Sequence, residues 1–365
     1  MRRTALHTKH CEAGAKMVPF AGWEMPLYYR DGATEEHRLV RRSAGLFDVS
    51  HMGTFEIAGK GSLDFLNRMI TSGVHKTDVA MSGYGLLLNE QGNIIDDIFL
   101  YHTEEYLWTL VVNASNLEKD WDWLNSHRGD FDCTLTDVSE GTSLIAMQGP
   151  AVIACLEGLS GEDLSAWTRF GIKEFVLEGI PFRSGRTGYT GEDGVEIFVA
   201  SEQAAALWNI LLDQGGKQCE IGPCGLAARD SLRFEAGFPL YGHELNETVA
   251  PPEALLKWAC DFESDFIGKS PVEELIKKGL TRKLVTFKLI DKGVAREDYE
   301  ILSARGDLIG KVVSGLYAPT VDLYCGNGFV PVAFAKAGTE IGISVRGRIK
   351  KAEVVKRPLY RPAYR

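Results

Sequence analysis

The sequence predicts an α+β protein that ends in a mostly-β domain. Three observations carry this reading. Residues 53–138 run strand, helix, strands, helix, the pattern of helices laid on one face of an antiparallel sheet. Between 140 and 240, amphipathic helices alternate with short strands and a glycine-rich bend. Beyond residue 280 the pattern is nearly all strand, broken by turn residues, as in a small barrel or sandwich.

In chain order, "PFAGWEMPLYY" (Pro19 to Tyr29) crowds prolines and glycines and reads as irregular or short extended structure. "GATEEHRLVRRSAGLFDVS" reads as a helix capped by Thr34, with Leu39, Val40 and Ala44 inward, stopped by Gly45. "GTFEIAG" is strand-like, and "GSLDFLNRMIT" sets Leu63, Leu66 and Ile70 at helical spacing. "GYGLLLNEQGNIIDDIFLYHTEEYLWTLVVN" reads as three strands with turns at "NEQG" and "HTEE", followed by the helix "NLEKDWDWLNSH". "GPAVIACLEGL" is helical, and "GIPFRSGRTGYTGEDGVEIFVA" holds two strands around its glycines. "SEQAAALWNILLDQG" and "GPCGLAARDSLRFEAG" are helices, the second entered through Pro223 and left at Gly237. "RKLVTFKLI", "GDLIGKVVSG", "NGFVPVAFA" and "TEIGISVRGRIKKAEVV" supply the closing strands.

With 365 residues, 45% apolar and 25% charged, the chain has material for a large core and is not a disordered or fibrous sequence. The formal charge of 40 − 50 = −10 argues against a broad basic surface for nucleic acid. Apolar runs fall well short of the roughly 20 residues that span a bilayer. Met1–Lys9 is short and polar, with no apolar segment behind it, so secretion is not expected. The seven cysteines are odd in number and widely spaced, which speaks for a reducing compartment and against a disulfide framework. No HExxH spacing or clustered ligand set suggests a metal, and no GxSxG elbow suggests a serine nucleophile. His51 in "FDVSHMG" and His243 in "YGHEL" read as satisfied structural histidines.

Two stretches carry chemistry. In "NIIDDIFLY", strand alternation sends Asp96 to the face of Ile94, Ile98 and Leu100, and Asp97 to the face of Ile95, Phe99 and Tyr101. Both faces are otherwise apolar, and an acid there is expensive unless paired or functional. In "SGRTGYTGEDGVEIFV" the glycines at 185, 188, 191 and 194 imitate a phosphate loop. No Lys-Ser/Thr pair follows them, and the next element is a strand, so a phosphate or dinucleotide loop is rejected. Glu196 lies in that strand, and Arg229 and Arg233 share one face of a later helix. An Arg and a Glu in one pocket suit a flat heterocycle with amide-like donors and acceptors. Arg233 also has Asp230 and Glu235 nearby as ordinary ion-pair partners.

The pieces "GAKMVPFAGWEMPLYY", "RRSAGLFDVSHMG", "NEQGNIIDD", "GRTGYTGEDGVEIFV", "GLAARDSLRFEAGFPLYGHEL", "DFIGK" and "GTEIGISVRG" stand in order along nearly the whole chain. In this set the sequence resembles the T-protein (aminomethyltransferase) family of the glycine cleavage system. The first 265 residues match best; "SGLYAPTVDLYCGNGFVPVAFA" departs from the family's usual C-terminal pattern. The resemblance implies a three-domain cloverleaf around a central folate-binding channel, with a C-terminal mostly-β, barrel-like domain. The implied domains are residues 1–52 with 139–265, a discontinuous folate-binding domain; 53–138, carrying the catalytic aspartate; and 275–365, the barrel-like domain.

The implied reaction passes the one-carbon unit of an aminomethyl group, held on lipoylated H-protein, to tetrahydrofolate. It yields 5,10-methylenetetrahydrofolate, ammonia and dihydrolipoyl H-protein. Tetrahydrofolate is the co-substrate, with no metal and no nucleotide. H-protein is expected as a transient partner, with functional links to the other glycine cleavage proteins and none to nucleic acid or membrane. By family register the catalytic carboxylate is Asp96, with Asp97 mainly structural. The folate contacts are Glu196 and Arg229, with Trp258, Tyr84 and Tyr189, and with Arg361 and Tyr364 as candidates near the glutamate tail. The alternatives are another folate-dependent one-carbon transferase or demethylase of the same fold, and a folate-binding structural or repair protein without turnover. The expected location is the cytoplasm for a bacterial chain and the mitochondrial matrix for a eukaryotic one.

Overall fold

The computed structural model describes residues 1–364. The chain forms two compact units. One comprises Met1–Met69, Gly73–Gly85 and Ile98–Leu232; the other comprises Ile70–Ser72, Leu86–Asp97 and the chain from Arg233 onward.

The first unit is organised by a six-stranded sheet. Its strands run in the order Ile172–Leu177, Ile180–Gly185, Gly194–Ala200, Thr142–Gln148, Ala44–Asp48 and Ile221–Pro223. All pairings are antiparallel except the last, where Ile221–Pro223 runs parallel to Ala44–Asp48. Strand alternation sends side chains to two covered faces. Leu46, Ile145, Met147, Val195 and Ile197 pack with the helices Val152–Ser160 and Ala204–Asp213. Phe47, Leu144 and Ala146 point the other way, onto Val40, Ala228 and Leu232 of the helices Ala33–Arg42 and Leu226–Glu235. Glu196 stands on this second face, opposite Ala146 in the register.

Two local expectations are corrected here. The helix predicted to run to Gly45 ends at Arg42, and Ala44–Asp48 is a fully buried central strand. A strand covered on both faces reads as an unbroken apolar run, which mimics the inner turn of a helix. The helix cap is Gly32, with φ 80°, rather than Thr34. For Pro19–Tyr29 the short extended alternative holds. This stretch lies mostly within an antiparallel hairpin, Lys16–Phe20 with Trp23–Tyr28, turned at Ala21 and Gly22, both at positive φ.

A five-stranded antiparallel sheet takes the order Met81–Leu88, Ile94–Glu104, Leu107–Val112, Gly53–Ala58, Thr134–Asp137. The helices Ser62–Met69 and Leu117–His127 fall where their periodicity placed them. The second turn comes later than "HTEE", because His102 to Glu104 stay paired with Leu107 and Trp108 through a register shift.

The second unit contains a closed barrel in the order Arg282–Leu289, Leu323–Pro331, Leu308–Ala318, Glu300–Ser303, Glu340–Val345, Arg348–Val355. Arg282–Leu289 closes it by pairing with Arg348–Val355. Its interior is filled by Phe287, Ile301, Val312, Val330, Ile343 and Val354. The chain is thus α+β with a C-terminal β-barrel, as the sequence predicts.

Candidate functional site

In the first unit the site grows from the glycine-rich bend. Gln148 Nε2 donates to the carbonyls of Thr187 (3.0 Å) and Val195 (3.3 Å), and Thr190 Oγ1 donates to Gln148 Oε1 (2.9 Å). A Cβ at Gly188 would collide with the Gln148 amide, so glycine is required by close packing and not by a phosphate. Arg186 closes the bend on Asp193 with two bonds, 3.1 and 2.6 Å. Arg41 donates to the Thr190 carbonyl and to Glu192 Oε1, both at 2.8 Å, and so fixes the bend to the helix Ala33–Arg42.

This scaffold aims three side chains. Glu196 pairs in the sheet with Gly185, whose missing side chain leaves room for the Tyr101 ring; a Cβ there would lie 2.5 Å from Tyr101 Cε1. Tyr101 OH (2.9 Å) and Thr187 Oγ1 (2.7 Å) both donate to Glu196 Oε2. Burial, reinforced by the Glu196 carboxylate, pushes the Tyr101 phenol well above its usual value, so it stays a donor. Among the described residues Glu196 Oε1 has no hydrogen-bond partner. Its carboxylate is therefore oriented through one oxygen and open at the other.

Arg229 projects from the helix Leu226–Glu235 with its guanidinium 4.8 Å from the centre of the Tyr189 ring. Among the described residues its Nη2 reaches only Met52 Sδ, at 3.9 Å, and its Nη1 is shut off from solvent with no acceptor. Burial lowers its pKa, while Glu196 and Tyr189 work in the opposite sense. An enclosed cation with a thioether as its hydrogen-bonding partner is a costly arrangement. It is the arrangement expected where an incoming ligand supplies the acceptor. Tyr84 is half-buried in the same unit.

The remaining predicted residues belong to the second unit. Asp96 is completely buried and Asp97 half-buried, in agreement with the two-faced strand. The same strand is held at its start by the bond from Ile94 N to Val249 O, 2.9 Å. Trp258 is 71% exposed, on the turn Lys257–Ala259. That turn is fixed by Thr71, whose Oγ1 donates to Ala259 O at 2.6 Å. Arg361 and Tyr364 are exposed near the end of the chain. Arg233 lies apart from the ligand-facing set: it is buried against Glu244 at 2.9 Å and donates to Phe238 O. Among the described residues no group of His, Cys, Asp and Glu is placed to hold a metal. A separate groove of about 610 Å³ in the first unit, lined by Thr54, Glu56, Arg183 and Phe198 among others, contains none of the predicted residues.

Sequence reasoning missed Tyr101 and Thr187, the residues that orient Glu196. Their only signal was a hydroxyl in each of two segments already under suspicion. It also took His51 for a satisfied histidine. In the structure His51 Nδ1 is buried without a partner. His243, by contrast, donates from Nδ1 to Val313 O at 2.9 Å.

Models of two domain families match this chain: the glycine cleavage T-protein N-terminal domain over residues 6–264, and its C-terminal barrel domain over 282–361. The chain belongs to the glycine cleavage T-protein family. Its relatives include the aminomethyltransferase of Symbiobacterium thermophilum, 44% identical over 100% of this chain and 99% of that protein. Another is the aminomethyltransferase of Parasynechococcus marenigrum, 41% identical over 99% of both. The crystal structure of glycine cleavage system aminomethyltransferase T from Bartonella henselae superposes with a TM-score of 0.92 at 33% identity, covering 99% of this chain and 98% of that one. Family membership covers the fold of both regions, including the barrel whose sequence departs most from the family pattern.

Proposed function

We propose that the chain is an aminomethyltransferase that moves the one-carbon unit of an aminomethyl group on lipoylated H-protein to tetrahydrofolate. The products are 5,10-methylenetetrahydrofolate, ammonia and dihydrolipoyl H-protein. Full-length likeness to aminomethyltransferases supports the reaction class. The observation that carries the folate reading is the polar pair in the first unit. Arg229 presents an unmet donor, and Glu196 presents an oxygen left open while its twin is doubly bonded. A reduced pteridine offers both an amide-like acceptor and an amine-like donor edge, and needs both kinds of partner.

Asp96 is the residue proposed to act in the chemical step. Breaking the carbon–sulfur bond leaves a carbon with cationic character, and a fixed carboxylate opposes that charge without having to be a strong base. Asp97, on the opposite strand face, is assigned a structural role. Trp258, Tyr84 and Tyr189 are proposed as further folate contacts, with Arg361 and Tyr364 toward the glutamate tail. Calorimetric titration with tetrahydrofolate tests the binding half of this reading. Affinity in the parent and a loss of more than about tenfold in a folded Glu196→Ala variant support it. Unchanged affinity in that variant rejects the pocket assignment.

A further inference from the structure

His51 follows the central strand Ala44–Asp48 on a turn whose bonds are all made elsewhere. Ser50 N donates to Asp48 Oδ1 at 2.9 Å, and Ser50 Oγ donates to Leu144 O at 3.1 Å. Asp48 in turn binds His10 and Thr4 at 2.9 and 2.6 Å. The turn therefore needs nothing from the His51 ring. The residue is 4% exposed, with Phe20 edge-on at 5.5 Å between ring centres.

Among the described residues every other histidine makes at least one side-chain hydrogen bond. His51 makes none through either nitrogen, and Nδ1 is sealed from solvent. A buried imidazole in that condition costs stability, and a ligand that completes it is one reason for a native protein to keep it. The next residue, Met52, is the one that touches Arg229 Nη2. Burial first, then the Arg229 charge, lower the His51 pKa to about 4 against the pull of Asp48, so the ring is neutral at pH 7. A neutral imidazole has one donor and one acceptor nitrogen. With the cation of Arg229, whose charge the ring feels, and the open oxygen of Glu196 in the same unit, it makes a set matched to an uncharged ring with mixed edges. A phosphate would face the Glu196 carboxylate instead.

We propose that His51 is a third recognition residue of this site, making a hydrogen bond through Nε2, the unpartnered ring nitrogen that is not sealed, to the same reduced pteridine that Arg229 and Glu196 hold. This rests on the folate reading above.

The test is calorimetric titration of the whole chain with tetrahydrofolate, with thermal denaturation of each variant without ligand. His51→Phe keeps the ring shape and removes the bond. It should weaken binding about tenfold or more while leaving the apo midpoint unchanged or higher. His51→Gln places an amide near the Nε2 position and should restore affinity to within about threefold of the parent. Arg229→Met serves as the control for the site itself. If Arg229→Met loses binding while His51→Phe binds like the parent, His51 is not a recognition residue and the folate reading stands. If the parent does not bind tetrahydrofolate, both fall. Should His51→Phe fail to fold, ¹⁵N-histidine spectra of the parent decide. The His51 ring resonances should move on adding tetrahydrofolate, and unmoved resonances overturn the proposal.

Discussion

Replacing Arg229 with methionine separates what this residue does for the fold from what it does for the ligand. Methionine keeps much of the apolar stem and removes the guanidinium. In the apo protein that guanidinium has a sealed, unmet Nη1 and a sulfur 3.9 Å from Nη2. Relief of one buried unsatisfied donor is worth about 1–3 kcal/mol. Against this stands the contact over Tyr189 at 4.8 Å, worth roughly 0.5–1 kcal/mol. The balance is a gain of about 0–2.5 kcal/mol, or a rise of up to a few degrees in Tm for a domain of this size. Ligand binding moves the other way, because a charge-assisted bond of about 1.5–3 kcal/mol is lost. Affinity should fall about 10- to 150-fold. Thermal denaturation with and without saturating tetrahydrofolate reads both effects, since a ligand that binds only the folded state raises Tm according to its affinity. The variant should melt at or above the parent when alone and gain less from folate. A variant that melts well below the parent, yet keeps the full folate shift, would show that Arg229 is part of the scaffold.

Three further outcomes are expected. Glu196→Ala should lose more than about tenfold in folate affinity, and Tyr101→Phe a smaller factor, because it removes one of two bonds that orient the same oxygen; calorimetry on folded variants checks both. Asp96→Asn should lower single-turnover rates about 10²–10³-fold with little change in folate affinity, whereas Asp97→Asn should retain far more activity; the reverse order would show that the acids are assigned the wrong way round. In the second unit, burial works to raise the Glu244 carboxyl, but Arg233, Asn327, Ser314 and Leu240 N hold it down to about 2 from the usual 4.5. Because the folded value is the lower one, this stabilisation is complete above about pH 4.5 and is lost as pH falls toward about 2. It amounts to about 3 kcal/mol. Urea unfolding across that range should steepen in the parent relative to Glu244→Gln, which is itself destabilised by about 3–5 kcal/mol because Arg233 loses its buried carboxylate.

Much of the fold was legible because it is written in period. The helices Ser62–Met69, Leu117–His127, Val152–Ser160 and Ala204–Asp213 and most barrel strands sit on apolar spacings that local sequence displays. Ala44–Asp48 was misread because burial on both faces erases alternation, and Gly45 imitates a helix stop. The short barrel strand Glu300–Ser303 escaped notice because four residues show too little pattern. Residue type and motif pointed to Asp96 in the second unit and to Glu196 and Arg229 in the first. Which polar atoms are left unmet was not legible. That depends on a tally of partners distant in sequence, such as Tyr101 for Glu196, 95 residues away. His51 looked like His243 for the same reason: the difference is a carbonyl 70 residues from His243 that His51 lacks.

Transfer itself is tested most directly by incubating the purified chain with aminomethyl-loaded, lipoylated H-protein and tetrahydrofolate, and measuring methylenetetrahydrofolate and ammonia together. Both products should form in equal amounts, and both should require the chain and tetrahydrofolate. Absence of product from the loaded carrier, together with turnover of a free N-methyl amine, would contradict the proposed donor and place the chain among folate-dependent demethylases instead.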